Sequence, residues 1–223
     1  MKRRFFVLII FVLMTAQTPA LADNPPETIF VLIENGATVQ DSQSVTQTTK
    51  HLLGQLTQLK RRRATRDARI VIVLSARPNR VAWSGTPGQL LHQAQDVLDL
   101  ITFRKSPSDL VLAFDQIRTT QALSQSGTFR LYWIGPAIHV PYDRESGKTI
   151  RIEVPQPVPE EIALAEVAKQ CDVVRIFNIH PDQDSVYLDY FKKTGLMKLV
   201  KNKTLAFSIM DTGQTEGHHK DLL

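Results

Sequence analysis

Residues 28–33, Thr-Ile-Phe-Val-Leu-Ile, are β-branched or apolar without interruption and run directly into Glu34, Asn35 and Gly36. A strand with one wet face alternates polar and apolar residues. An unbroken run closed by turn residues is what a strand buried on both faces requires, and such strands belong to parallel sheets covered by helices on each side. Largely apolar runs return at 70–74, 129–134, 172–179 and 204–210. Between these runs the apolar spacing is helical. Val45, Leu52, Leu53, Leu56 and Leu59 mark a helix over 41–60 with Asp41, Ser42 and Ser44 as caps, and Leu90, Leu91, Ala94, Val97, Leu98 and Ile101 mark another over 89–101. Ser106 as N-cap with Pro107 and Asp109 behind it opens a third helix, running to about 123. Two more are expected over 160–170 and 185–193, the last closed by Gly195.

This alternation predicts an α/β fold: a doubly wound, mostly parallel, Rossmann-like sheet. Segments 137–140 and 149–154 flank Asp143, Arg144, Glu145, Ser146, Gly147 and Lys148, which reads as an inserted β-hairpin. Residues 77–83 read as a long loop, and the stretch from Trp83 to Gly88 as turn-rich. The tail, 211–223, has no apolar pattern and is expected to be mobile.

The first 22 residues fall outside that scheme. Lys2, Arg3 and Arg4 precede an apolar run, and Ala20-Leu21-Ala22 is a small-residue cleavage site, so residues 1–22 read as a secretory signal peptide. The expected organisation is that leader, one α/β domain over 23–210 and the tail, with export to the periplasm and no transmembrane segment after cleavage. Three of the 27 Lys and Arg residues lie in the leader, which leaves 24 against 22 Asp and Glu, a net charge of about +2. A balance that close to neutral gives no footing for nucleic acid. The single cysteine, Cys171, rules out an internal disulfide and reads as a buried core residue, with an intermolecular disulfide or reactive thiol as the alternatives. The basic run Lys60, Arg61, Arg62 and Arg63 reads as a solvated helix end, with docking of an acidic partner as the alternative.

The phosphate-binding glycine loops, the GxSxG elbow, the HExxH motif and zinc-spaced Cys/His clusters are all absent from the sequence. The polar residues that remain sit at predicted strand ends, where ligands bind in open parallel sheets. They include Glu34, Asn35, Thr38, Ser75, Asn79, Ser108, Asp109, His139, His180, Asp182 and Asp184.

The order of elements over 28–210 resembles a von Willebrand factor A-like domain. In that family the first strand ends in Asp-x-Ser-x-Ser, whose carboxylate and hydroxyls hold a divalent metal. This chain has Glu34-Asn35-Gly36-Ala37-Thr38, which keeps an acid and one hydroxyl. A family threonine falls near Ser108, and the family aspartate that ends the fourth strand falls at Gly135-Pro136. The resemblance implies a degenerate metal-ion-dependent adhesion site. Glu34, Thr38 and Ser108 are what could hold Mg2+ or Ca2+, and the expectation is that no cofactor is bound.

The function expected is therefore that of an exported, non-enzymatic protein-binding module. It would be an accessory or assembly factor of an envelope system such as secretion or conjugation, with a protein partner in the envelope. The binding residues expected are Glu34, Asn35, Thr38, Arg77, Trp83, Asp143 and Lys148, since arginine and aromatic residues in long loops are what interface hot spots use, with a core plug beneath the loop as the other reading of Trp83. The alternative is a metal-assisted periplasmic hydrolase in which Glu34, His180, Asp182 and Asp184 converge at the carboxyl edge of the sheet. A small-ligand receptor using the same crevice is a third reading.

Overall fold

The computed structural model describes residues 26–141 and 152–223. The strands are β1 (Thr28–Ile33), β2 (Arg69–Leu74), β3 (Val81–Gly85), β4 (Phe129–Ile134), β5 (Cys171–Ile179) and β6 (Ala206–Asp211). Interleaved with them are α1 (Ser42–Gln58), α2 (Pro87–His92), α3 (Ala94–Leu100), α4 (Leu110–Ala122), α5 (Leu164–Lys169), α6 (Pro181–Lys193), α7 (Leu196–Lys201) and α8 (Thr212–Gly217). They form one sheet of order β3-β2-β1-β4-β5-β6, parallel throughout except for β3.

The unbroken apolar strands have the physical role their composition predicts. Every residue of β1 is buried. Alternate side chains leave the sheet on opposite faces, so Phe30 and Leu32 join Leu131 and Trp133 under α4, α5, α6 and α7. Ile29, Val31 and Ile33 join Tyr132 and Ile134 under α1, α2 and α3. The sheet is thus covered on both faces. Strand order runs outward from β1 in one direction and from β4 in the other, so the reversal falls between these two neighbours. That is where an α/β sheet opens a crevice at its carboxyl edge.

Several elements differ from the sequence reading. Val81–Gly85, expected as loop and turn, is an antiparallel edge strand pairing with β2. It is short and half-exposed, and Gly85 and Pro87 imitate turn chemistry, which hides an edge strand from pattern reading. The helix expected over 89–101 breaks at Gln93 into α2 and α3, and α2 opens with a Thr86–Gln89 capping box. The helix expected from Ser106 begins at Leu110, with the Asp109 side chain accepting from the Leu112 N–H. Residues 106–108 are drawn off as a loop because Ser108 donates to Ser75 (2.6 Å) and Ala37 N–H donates to Ser106 O (2.9 Å). The expected hairpin is not formed by its described flanks: residues 137–140 and 152–154 carry no strand. Its centre, with Asp143 and Lys148, lies outside the described residues, as does the leader.

The tail is the largest correction. Instead of lying free, Asp211 and Gln214 form a capping box that starts α8, and Thr215 and Leu222 are fully buried. Leu222 joins the cluster under α1, and Gln55 of α1 clamps the tail by donating to His219 O (2.8 Å) and accepting from Leu222 N–H (2.9 Å). The two terminal leucines and a set of polar bonds to α1, from residues far away in sequence, dock the tail, so no periodicity announces it. Cys171 agrees with the core reading: it is buried, and burial pushes its thiol up to about 12.

Candidate functional site

The carboxyl edge is built from the loops that follow β1, β2, β4 and β5. At its centre Glu34 is completely buried. Its Oε1 accepts from the Trp133 indole N–H (2.9 Å) and the Ala137 backbone N–H (2.7 Å), and its Oε2 lies 3.4 Å from the Thr38 hydroxyl. The side chain therefore points across β4, not out of the edge. Gly135 permits this path. It has φ +148°, and a Cβ there would lie 2.5 Å from the Glu34 Cβ. Trp133 is held in turn between Phe114 and Tyr187, each meeting it edge-on at 5.2 Å between ring centroids.

Burial pushes the Glu34 carboxyl up to about 8, outweighing the Ala137, Trp133, Ile138 and Thr38 hydrogen bonds that favour the charged form. A neutral acid fits the geometry: Oε1 keeps its two donors, and Oε2–H would donate to the Thr38 oxygen.

A second knot ties the neighbouring loops. Asn35 N–H donates to Ser75 Oγ (3.2 Å), Asn35 Nδ2 to Thr102 O (2.9 Å), and Ala76 N–H to Asn35 Oδ1 (3.0 Å). Gly36 fits where it does because a Cβ would meet Ser106 O and Pro107 O at 2.9 Å. Ser75 and Ser108 are both buried, with their hydroxyls spent on one another and on Asn35.

These contacts bear on the metal site that the family resemblance implies. The acid faces inward to donors, Ser108 is bonded to Ser75, and glycines stand at the positions of one hydroxyl and one carboxylate. A hard cation needs about six oxygen ligands, and this donor set does not fit one. Among the described residues no group of three His, Cys, Asp or Glu side chains gathers.

Of the residues of the hydrolase reading, His180 and Asp182 approach each other at 3.8 Å, and no third such side chain gathers with them among the described residues. His180 caps α6, its Nδ1 accepting from the Asp182 N–H at 3.3 Å. Asp182 and Asp184 lie in the first turn, where acids complement the helix dipole. Glu34 is shut off from solvent while Asp182 is exposed.

Of the expected binding residues, Arg77 is half-buried in the turn after β2, where its N–H bonds Leu74 O (3.0 Å). Trp83 lies on β3 at the far side of the sheet. Its ring covers Gly85 and its indole N–H donates to Gln93 (2.9 Å), so it works as a packing anchor for α2 and α3.

One residue of the edge escaped the sequence reading. Asn178 interrupts the apolar run Ile176-Phe177-Asn178-Ile179, and that interruption was the available signal. It lines a cavity of about 150 Å3 together with Thr38, Gln40, Asp41, Pro136 and His180.

The fold and this edge define a class: a mostly parallel α/β sheet with an antiparallel edge strand. No protein-family model and no curated protein matches the sequence. Among solved structures it is similar to the pilus adhesin SpaC from Lactobacillus rhamnosus GG in its open conformation, at 12% identity and a TM-score of 0.51. The match covers 89% of this chain and 29% of that one. It also matches the PilB minor pilin from Streptococcus sanguinis, at 5% identity and a TM-score of 0.46, covering 89% of this chain and 60% of that one. The chain thus spans less than two thirds of either neighbour, and the likeness is one of fold.

Proposed function

We propose that this protein is an exported, non-enzymatic binding module of a cell-envelope assembly, on a von Willebrand factor A-like frame, and that it engages a protein partner through the carboxyl edge of its sheet. One observation carries the reading. The edge gathers four loops and a cavity at the strand-order reversal, while its central acid, Glu34, is turned inward. What the edge presents to solvent is Gln40, Asp41, Arg77 and His180, groups suited to shape and hydrogen-bond recognition. The likeness of fold to a pilus adhesin supports a surface-binding role, as does the signal-like leader. Assembly in secretion or conjugation machinery is the narrower form of the proposal.

A photo-crosslinking residue placed at Gln40 or Arg77, and as a control at Arg62 on the opposite end of the sheet, tests it in cells. The expected result is a discrete adduct from Gln40 and Arg77 and none from Arg62. No adduct from the carboxyl edge, or the same adducts from all three positions, contradicts the reading.

A further inference from the structure

The end of β5 departs from regular pairing. Ile176 lies opposite Ile209 and Ile179 opposite Asp211, so two residues of β5 face one of β6. This is a β-bulge, and bulges re-aim side chains near sites. Asn178 occupies it at φ +59°, a left-handed conformation that Asn tolerates better than other side chains with a Cβ. Its backbone N–H is held by the buried Thr215 hydroxyl at 3.1 Å, so α8 fixes the bulge in place.

The residue is only 5% exposed, and neither its Nδ2 nor its Oδ1 has a hydrogen-bond partner among the described residues. Buried amides are almost always paired, and an exception calls for an explanation. The cavity beside it is about 150 Å3, where one water needs only ~10–15 Å3, so there is room for a side-chain head group. Val39, Val45, Pro136 and Ile179 make its walls apolar, and the exposed Gln40 and Asp41 stand at its rim.

We infer that this cavity receives the carboxamide end of an asparagine or glutamine side chain from the partner; the inference rests on the binding reading above and names the chemistry recognised. Turning the Asn178 amide toward the cavity about its soft terminal torsion lets Nδ2 donate to the guest carbonyl and Oδ1 accept from the guest NH2. A carboxylate offers acceptors alone, leaves Oδ1 unpaired and meets Asp41. A guanidinium offers donors alone, leaves Nδ2 unpaired and loses its hydration against apolar walls. An aliphatic side chain leaves both atoms unpaired.

The test is an NMR titration of the labelled protein with capped tripeptides, acetyl-Ala-X-Ala-amide, where X is Gln, Glu, Arg or Leu. The Gln peptide is expected to shift the Asn178 side-chain NH2 and the Thr38 and Val39 amides, with a Kd at least about tenfold below the other three. Asn178→Asp, which keeps the shape and removes the donor, should abolish the preference. Val39→Phe, which fills the cavity from its wall, should do so without touching Asn178. Equal affinity for all four peptides, a preference for Glu, Arg or Leu, or a Gln preference surviving both substitutions overturns the inference. Edge crosslinks that persist without any Gln preference would sink this inference alone. Loss of those crosslinks with the Gln preference intact would sink the broader reading alone.

Discussion

Gly135 and Glu34 occupy adjoining strand ends so closely that a Cβ on Gly135 would lie 2.5 Å from the Glu34 Cβ, 2.7 Å from its Cγ and 2.8 Å from its carboxyl carbon. The acid reaches the Ala137 N–H only because the residue between them has no side chain. Gly135→Ala adds both the clash and the penalty of φ +148°. The expected cost is roughly 2–5 kcal/mol in urea unfolding, from ~1–2 for the backbone and ~1–3 for overpacking. A loss below about 1 kcal/mol would mean that the two loops are not locked together.

Glu34 also sets a pH dependence. Its folded value of about 8 lies above the ordinary 4.5, so the folded state holds the proton more tightly. The resulting stability is fully present below pH ~4.5 and is lost as pH rises through 8, with a slope approaching about 1.4 kcal/mol per pH unit between them. Glu34→Gln keeps the two bonds to Oε1 and donates to Thr38 in place of the acid proton. The variant's stability is expected to be flatter from pH 5 to 8 and to exceed that of the parent at pH 8. Parallel curves for the two proteins would show that Glu34 stays charged.

The docked tail gives a third expectation. Leu222 is fully buried against the α1 face, and truncating a buried leucine to alanine costs about 2–5 kcal/mol where the site cannot collapse. Here the tail is expected to release before the sheet unfolds, since it is held at the chain end by a few contacts to α1. Leu222→Ala should therefore speed hydrogen exchange at the Asn178 amide, held by Thr215, while β1 and β4 amides keep their protection. The His219 ring stacks on His51 at 4.4 Å, and burial, then the neighbouring His51, depresses its pKa below 6.5. A depressed imidazole contributes stability above pH ~6.5 that is lost as pH falls, so acid should loosen the tail in the same exchange measurement. Unchanged exchange in Leu222→Ala would contradict the docking.

Much of this fold was legible because buried parallel strands announce themselves. Residues 28–33 and 129–134 coincide with β1 and β4, and the other apolar runs locate β2, β5 and β6 to within two residues. What was not legible depends on neighbours far apart in sequence. The missing aspartate at Gly135-Pro136 was visible, yet that its absence lets Glu34 turn inward depends on β1 and β4 lying side by side. Ser106 had every mark of an N-cap and lost that role to Asp109 because Ser75 and Ala37 bind the intervening loop. Trp83 could be read as a core plug beneath a loop or as a binding anchor, and only the pairing with β2 places it on an edge strand packed against the core. Asn178 was swallowed by an apolar run, and only the register shift against β6 gives it meaning.

The claim on which the rest turns is that the carboxyl edge works without a metal, its acid sealed inside. A thermal melt of the protein in EDTA, repeated with Mg2+, Ca2+, Mn2+ or Zn2+ added back, tests it directly. A cation bound to the native state at 100 times its Kd stabilises by about 2.7 kcal/mol, a shift of several degrees. The account predicts no shift with any of the four cations, in the parent and in Glu34→Gln alike. A shift of several degrees in the parent that disappears in Glu34→Gln would contradict it and place a live cation site at the end of β1.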